Sequence, residues 1–332
     1  MVAGACLAAL SLGAGTALAD PVPPIPPDRP LAGVGSDTTQ DVMNGFANGS
    51  PLSTPPYCGV GVTPGTPCPT TGYTMSSFDA TGSATITTHP TAACTNIPRP
   101  AGSGNGIAAL LADTNGCLQF ARSSTDLHVA NPNATFYPFA TDALPFATAT
   151  VTNVPKTFTV AQLTTIYTRN GTPGQSPCVR QPLLPHVGSG TRSAWLTFLG
   201  IGGPGQPALG TCVQDTLNGV PIEEHDGRVL TNPEQLVPFS LAQYITQTTQ
   251  SNVTDRHGSA VLRAVGNITP YDDAFPFIRR VFNVVRNADV NNPNIQSTFV
   301  GAGSAVCSHP EVTKQFGFTP LGPADCGVGI AN

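Results

Sequence analysis

Three short turns rich in glycine and serine are the part of the sequence best suited to holding an anion. They read Gly35-Ser36-Asp37-Thr38, Gly102-Ser103-Gly104-Asn105-Gly106 and Gly188-Ser189-Gly190-Thr191. Each is predicted to end a strand and begin a helix, where the first backbone N–H groups have no partner inside the helix. Those groups lie at the positive end of the helix dipole, and glycine lets a ligand approach them closely. Three such turns in one chain favour a single shared anion site.

The plain alternative is that these are three unrelated turns with ordinary serine or threonine helix caps. Other anion-binding loops fit less well, because the chain contains no Gly-Lys pair for a P-loop and no GxSxG for a hydrolase. GVGSDT and GNGIAA also lack the third glycine of a dinucleotide fingerprint. Two charged clusters, EEHDGR at 223–228 and DRHG at 255–258, could supply acid, base or metal groups. We interpret both clusters as solvated turn charges.

Composition limits the classes of partner. The chain has 332 residues, of which 10% are charged, and a formal net charge of −5. Its lysines are Lys156 and Lys314, so no cationic run could neutralise successive phosphates of a nucleic acid. We therefore predict no nucleic-acid partner. Hydrophobic residues make up 40% of the chain, which favours packed cores and ordered loops over disorder.

The N-terminal residues are typical of an exported protein. Residues 1–19 form an apolar stretch that ends in Ala17-Leu18-Ala19, which predicts a signal peptide and secretion. Residues 20–30 are predicted to be a proline-rich linker. A lipid anchor on Cys6 is the rival interpretation. No other segment is predicted to cross a bilayer, so contact with a membrane would come only through an anchor or a partner.

Cysteine usage agrees with export. The chain has 9 cysteines, and removal of Cys6 with the signal peptide leaves an even number. Their spacing favours local disulfides between neighbours in sequence: Cys58–Cys68, Cys94–Cys117, Cys178–Cys212 and Cys307–Cys326. Without a CxxC pair or a histidine clustered near two cysteines, a metal site is not expected.

Strands, glycine-rich turns and helices alternate, which predicts an α/β fold. Apolar residues at helical spacing follow each of the three turns, and Ser36 or Asp37 is the expected cap of the first helix. A further helix is predicted within 157–171. In the last third, the segments 236–247, 260–267 and 277–285 are predicted to be strands.

The segments GVGSDTTQDVM, GSGNGIAALLA, FARSST and GSGTR, in this order, carry a resemblance to a known family. The chain resembles the phosphate-binding substrate-binding proteins of ABC phosphate transporters, and is most similar to an exported actinobacterial branch. The resemblance spans residues 31–325, with 51–74 as an insertion. It implies an α/β, two-lobed type II periplasmic-binding-protein fold with a central cleft and mixed, mostly parallel sheets.

The resemblance also implies where the lobes divide. Lobe 1 would contain residues 31–148 and 245–332, and lobe 2 would contain residues 149–244. Hinges are expected near Ala149–Val151 and Pro238–Leu241.

Carried over to this chain, the family's phosphate site implies a set of ligand-binding residues on the turns and the strand between them: Ser36, Asp37, Thr38, Ser103, Gly104, Arg122, Ser124, Ser189, Gly190, Thr191 and Arg192. Ser124 stands where the family has an aspartate that accepts the proton of phosphate and repels sulfate, so Asp37 or Asp126 would have to take over. The family's arginine is replaced by Leu184-Pro185-His186, which leaves Arg122 or Arg192 as the expected substitute.

These observations predict an extracellular solute-binding protein that captures an oxyanion, with phosphate as the expected ligand, and delivers it to an ABC permease. No cofactor, metal or catalytic residue is predicted. The first alternative is a secreted or cell-surface interaction protein on the same fold that has lost ligand transport. A second is an exported phosphate-ester hydrolase, which would need a metal cluster or a nucleophile beside a base, and the sequence shows neither.

Overall fold

Two β-sheets with helices packed against them make up the part of the chain that the structure describes. The structure is a computed structural model, and it describes residues 20, 29–50, 57–62, 68 and 72–332. The predicted signal peptide, most of the linker and most of the 51–74 insertion lie outside these residues.

The helices are α1 (Gln40–Asn48), α2 (Ser103–Ala112), α3 (Val160–Thr168), α4 (Gly190–Leu199), α5 (Leu241–Thr249), α6 (Pro293–Phe299) and α7 (Pro310–Gln315). The strands are β1 (Leu31–Gly35), β2 (Met75–Ser77), β3 (Thr85–Ile86), β4 (Ile97–Pro98), β5 (Phe120–Ser123), β6 (Ala134–Ala143), β7 (Phe146–Ala149), β8 (Thr157–Phe158), β9 (Gln181–Pro182), β10 (Thr216–Leu217), β11 (Val220–Pro221), β12 (Gln235–Pro238), β13 (Ala260–Val265), β14 (Ile278–Arg286) and β15 (Thr319–Pro320).

The first lobe is built on a six-stranded sheet in the order β15-β6-β14-β5-β1-β2. One face packs against α1, α6 and α7 in a buried cluster that includes Phe46, Phe120 and Phe299. The other face packs against α2 through Ile107 and Leu110. Because both faces are covered, β1 and β5 are buried along their whole length rather than at alternate residues.

The second lobe is built on a five-stranded sheet in the order β8-β13-β7-β12-β9. Helices α3 and α4 supply apolar residues to its core. Trp195 of α4, the chain's single tryptophan, is fully buried. Its ring centroid lies 5.7 Å from that of Tyr167 and 5.4 Å from that of Phe277. This packing fixes the position of α4, and therefore of the turn that precedes it.

Both sheets are mixed as predicted, but parallel pairing does not predominate. Parallel neighbours are β1 with β2 and β5, β9 with β12, and β8 with β13. The long pair β6 and β14 is antiparallel, as are the pairings of β7 with β12 and β13. The expectation of mostly parallel sheets was therefore wrong, because β14 in the first sheet and β7 in the second are each antiparallel to both of their neighbours.

The division between the lobes differs from the predicted one at two strands. Strands β7 and β13 belong to the second sheet, although most of β7 and all of β13 were assigned to lobe 1. The chain crosses between the lobes at Leu144-Pro145, where the N–H of Leu144 donates to the carbonyl of Phe277 at 2.9 Å. It crosses again between Pro238 and Leu241, where one hinge is predicted, returns to the second sheet for β13, and crosses back before β14. The other predicted hinge, Ala149–Val151, lies at the end of β7 in the second sheet.

The segment 236–247 is a strand followed by a helix rather than a continuous strand. Strand β12 ends at Pro238, and α5 begins at Leu241. Ser240 caps this helix, because its side chain accepts a hydrogen bond from the backbone N–H of Gln243 at 3.0 Å. The serine cap, rather than the apolar pattern, decides the local structure here.

All four predicted disulfides are present: Cys58–Cys68, Cys94–Cys117, Cys178–Cys212 and Cys307–Cys326. Cys178–Cys212 lies in the second lobe, and the other three lie in the first. None of the helices within the described ranges is long and apolar enough to cross a membrane.

Candidate functional site

The three glycine-rich turns meet where the two lobes touch. The N–H of Gly102, in the second turn, donates to the carbonyl of Gly35, in the first, at 3.2 Å. The N–H of Gly104 donates across the cleft to the carbonyl of Gly188 at 2.9 Å. The turns therefore share one buried site instead of capping three separate helices.

Backbone conformation explains why glycine is needed in these turns. Gly102 has a φ of 88° and Gly188 has a φ of 95°, which side-chain-bearing residues rarely adopt. Gly190 is needed for space, because a Cβ placed on it would lie 2.2 Å from the Oγ of Ser103 and 2.5 Å from the Oγ of Ser124. These glycines let the start of α4 lie directly against the first lobe.

Hydroxyl groups from both lobes line the site. The Oγ1 atoms of Thr38 and Thr191 lie 3.3 Å apart across the cleft. Ser103 and Ser124 lie beside them, with the N–H of Ser124 donating to the Oγ of Ser103 at 3.0 Å. Ser189 caps α4 by accepting from the N–H of Arg192 at 3.0 Å. All five hydroxyl-bearing side chains are buried, so any group that binds here would exchange water for these donors.

Arg279 of β14 is the guanidinium that reaches the site. Its Nη1 donates to the Oγ1 of Thr191 at 3.1 Å, and its Nη2 lies 3.3 Å from the Oγ1 of Thr38. A second Nη1 contact reaches the Oγ of Ser124 at 3.4 Å. Asp142 of β6 holds the guanidinium in place through contacts of 3.0 and 2.9 Å to Nε and Nη2. A buried positive charge therefore lies behind the hydroxyl groups.

Glu224 places a carboxylate among these donors. It is 1% exposed, and its Oε2 accepts from the Oγ1 of Thr38 at 3.0 Å and from that of Thr191 at 3.3 Å. Its Oε1 lies 3.5 Å from the N–H of Thr191, in the first turn of α4. Burial alone would raise the pKa of Glu224, but the neighbouring His225 and Ser189 side chains and the charge of Arg279 outweigh it and lower the pKa. The group is therefore an ionised carboxylate.

His225 completes the site and is held in one tautomer. The backbone N–H of Ser240 donates to its Nδ1 at 3.1 Å, so in the neutral ring Nε2 carries the proton. That Nε2 lies 2.8 Å from the Oγ1 of Thr38 and donates to it. His225 therefore does not act as a base toward Thr38, which argues against a nucleophile–base pair at this position.

The hydrogen bonds through Thr38 and Thr191 all run toward Glu224. Arg279 and His225 donate to the hydroxyl of Thr38, and that hydroxyl donates to Glu224. Thr191 passes a second hydrogen bond in the same direction, from Arg279 to Glu224. Chemically, the site is a convergent set of donors around one negative group, with no attacking group.

Of the predicted ligand-binding residues, the structure brings most of the turn residues together and places the two arginines elsewhere. Thr38, Ser103, Gly104, Ser124, Ser189, Gly190 and Thr191 surround the contact between the lobes. Ser36 is buried in the same turn as Thr38, and its backbone carbonyl accepts a hydrogen bond from Arg122. The cap of α1 is Thr39, so neither Ser36 nor Asp37 caps that helix.

Arg122 and Arg192 do not supply the missing guanidinium. Arg122 is fully buried beneath the first turn, where its Nε donates to the carbonyl of Ser36 at 3.1 Å. Burial lowers the pKa of Arg122 to about 10. Arg192 turns away and pairs with Asp215 at 3.0 Å. Both residues support the structure, and Arg279 occupies the position expected for them.

The carboxylates of the two expected aspartates form their hydrogen bonds outside the network of Thr38, Thr191 and Glu224. Asp37 pairs with Arg256 at 2.8 Å, and both side chains are buried. Asp126 lies on the surface beside His128, with 45% of its side chain exposed. The interpretation of 223–228 and 255–258 as solvated turn charges was wrong for Glu224, His225 and Arg256, which are buried at or next to the site.

The missed residues left weak signals in the sequence. Arg279 stands next to Arg280 in a strand, and strand alternation puts one of two adjacent arginines inside. Glu224 and His225 follow a short hairpin with no motif to mark them. Within the described residues, no group of three or more histidines, cysteines or acids could hold a metal ion.

Two buried aspartates beneath the first turn make stability depend on pH. Burial, together with the nearby charge of Asp41, raises the pKa of Asp79 to about 7, and burial raises the pKa of Asp41 to about 6. Because these folded-state pKa values lie above the unfolded ones, the folded state binds more protons between about pH 4 and 7. Their stabilising contribution is complete below about pH 4 and is lost progressively as the pH rises from there through the folded-state pKa values of about 6 and about 7.

We therefore expect Asp79→Asn to remove most of this loss. The amide oxygen of the substituted side chain would still accept the hydrogen bond that Asn44 donates to Asp79 at 2.7 Å. Denaturant unfolding at pH 5 and pH 8 should show the wild type losing on the order of a few kcal/mol more than the variant. Asp126→Asn, at an exposed site, is the control and should behave as wild type. Equal losses in the wild type and Asp79→Asn would contradict the assignment.

Comparison with known proteins identifies the fold of the chain. No protein-family profile matches the chain, and no curated protein matches its sequence. Among solved structures, it is similar to a phosphate ABC transporter substrate-binding protein with bound phosphate from Clostridium perfringens, with a TM-score of 0.54 and 14% identity over 88% of this chain and 99% of that one. The chain has the two-lobed periplasmic-binding-protein fold.

A second solved structure with this fold is an ABC-type phosphate transport receptor from Vibrio cholerae. It has a TM-score of 0.51 and 13% identity, over 87% of this chain and 99% of that one. Nearly the whole length of both neighbours is therefore represented in the two lobes of this periplasmic-binding-protein fold. At these identities the likeness concerns the fold, so any ligand must be argued from the side chains of this chain.

Proposed function

We propose that this chain is an extracytoplasmic solute-binding protein that holds a small oxyanion, with phosphate as the first candidate, between its two lobes. The observation that carries the proposal is the meeting of three helix-start turns from two lobes around one anionic group. The arrangement already stabilises the buried carboxylate of Glu224. An oxyanion resembles a carboxylate because it also carries its negative charge on oxygen atoms.

Several further observations support an extracytoplasmic transport role. The disulfides fit an oxidising compartment, and the fold neighbours are described as a substrate-binding protein and a transport receptor of phosphate ABC transporters. On this proposal, residues 1–19 direct export and an ABC permease receives the anion. No chemical step on the ligand is proposed, since His225 donates to Thr38 and offers no base. An origin in an actinobacterial branch stays a prediction.

Thr191→Val tests the proposed site, because it removes one hydroxyl at the start of α4 and keeps the side-chain shape. Titration calorimetry with phosphate should show binding to the wild type and at least about tenfold weaker binding to the variant, since a hydrogen bond to a charged group contributes about 1.5–3 kcal/mol. Thr197→Val, on the exposed side of the same helix, is the control and should bind as wild type. Sulfate, run in parallel, reports whether the site distinguishes the two anions.

The second candidate is an interaction protein that retains the two lobes without transporting a ligand. The specific observation in its favour is that Glu224 already accepts the hydrogen bonds of both threonine hydroxyls. If neither phosphate nor sulfate produces heat with the wild type or with any variant described below, this second function replaces the first.

A further inference from the structure

Glu224 occupies the position in the cleft where the hydrogen-bond donors converge. Its two oxygens face Thr38 of the first lobe and the hydroxyl and N–H of Thr191 in the second. Each threonine hydroxyl has one proton to donate, and each donates it to this carboxylate. An external anion at the same place would find these donors already engaged.

The loop that carries Glu224 is fixed in a strained backbone conformation by contacts with its surroundings. His225 follows with a φ of 55°, a left-handed conformation that costs a non-glycine residue free energy. Such strain persists only where surrounding contacts fix the backbone. Two contacts from α5 and its cap do so here: the side chain of Gln247 donates to the carbonyl of His225 at 3.1 Å, and the N–H of Ser240 donates to its ring.

Charge makes simultaneous occupancy unfavourable. Arg279 is paired with Asp142, and Arg256 is paired with Asp37, so the carboxylate of Glu224 carries a negative charge in addition to these two buried pairs. A second anion bound against Glu224 would meet a like charge in a site that excludes water, where charge repulsion is strong. The carboxylate and an oxyanion are therefore alternatives for the same donors.

The neighbouring acid faces the opposite way. Glu223 lines a surface groove of about 640 Å³ together with Asn105 of α2 and His186 of the second lobe. Its side chain is 36% exposed and lies 3.5 Å from the His186 ring. The groove thus reaches the loop at Glu223, one residue from the carboxylate inside the cleft.

We propose that Glu224 is a built-in competitor for the oxyanion: its carboxylate joins the two lobes and must leave the donors before an external anion binds. This inference rests on the proposed oxyanion-binding function. Anions bind only the fraction of molecules in which the carboxylate is withdrawn, so the apparent affinity is reduced by that fraction. Glu224 thereby raises the anion concentration that is needed to occupy the site.

The test compares Glu224→Gln and Glu224→Ala with the wild type by calorimetry with inorganic phosphate and with sulfate. Both variants remove the competing charge, and the glutamine variant keeps the side-chain volume if the alanine variant folds poorly. We expect both anions to bind at least tenfold more tightly to the variants. Glu223→Gln, one residue away and facing the groove, is the matched control and should bind as wild type.

A measurement without added anion reports on the join between the lobes. Small-angle scattering of Glu224→Ala should give a larger radius of gyration than that of the wild type, because the contact from Glu224 to Thr38 is lost. Glu223→Gln should leave the radius unchanged.

The outcomes separate this inference from the proposed function. If the wild type binds phosphate and both Glu224 variants bind with the same affinity, the competitor role is overturned and the function stands. Weaker phosphate binding to both variants also overturns it, and assigns Glu224 as an acceptor for the ligand's proton. Absence of binding in every protein overturns the proposed function and the competitor role with it.

Discussion

Arg279→Met is expected to lower the free energy of unfolding by about 3–5 kcal/mol and to abolish anion binding. The substitution leaves Asp142 as an unpaired charge whose side chain is fully buried, and breaking a buried pair from one side has a cost of this size. It also removes the guanidinium that donates to Thr38 and Thr191. Denaturant unfolding and phosphate calorimetry measure the two effects separately.

Arg280→Met is the matched control for this substitution. Arg280 is the next residue in β14, and its pair with Asp325 lies at the surface, where 43% and 50% of the two side chains are exposed. Loss of such a pair changes stability by about 1 kcal/mol or less. The double variant Arg279→Met/Asp142→Asn should regain part of the lost stability, because the unpaired charge is gone. An unfolding free energy for Arg279→Met equal to that of Arg280→Met would show that the buried pair is not essential.

Gly190→Ala is expected to hold the lobes apart. The added Cβ would lie 2.2 Å from the Oγ of Ser103 and 3.0 Å from its Cβ, so the start of α4 or the second turn must move. Overpacking of this kind typically costs about 1–3 kcal/mol. Because the clash lies between lobes, separating them relieves it. We expect an increased radius of gyration in small-angle scattering and at least tenfold weaker phosphate binding.

Gly303→Ala provides the comparison, since a Cβ at that position meets nothing within 4 Å. It should leave both the radius and the affinity unchanged. A wild-type radius and affinity in Gly190→Ala would mean that the turns accommodate the methyl group locally, and would contradict the expectation that it separates the lobes.

The turns were predictable from the sequence because their chemistry is local. Gly102, Gly188 and Gly190 indicate a tight backbone, and the apolar spacing after each turn indicates the helix. Convergence of the turns followed from the same reasoning and is confirmed by the contacts of Gly104 with Gly188 and of Thr38 with Thr191. The disulfides were predictable because each joins cysteines close in sequence.

Glu224, His225 and Arg279 were not predictable, because their burial is decided by residues far away in the chain. Arg279 is 137 residues from Asp142, its partner on β6, and Glu224 is 186 residues from Thr38. A charged side chain in a turn is usually solvated, and only the approach of the other lobe makes it an interior group. The predicted lobe boundaries failed at β13 for the same reason, since strand pairing across the sequence determines the sheet to which it belongs.

The placement of the described disulfides leaves the two lobes without a disulfide link between them. Every described bridge links cysteines of the same lobe. Each disulfide therefore stabilises one lobe against unfolding, and the contact between the lobes depends on non-covalent interactions. Separation and closure of the two lobes would therefore break none of the described disulfides.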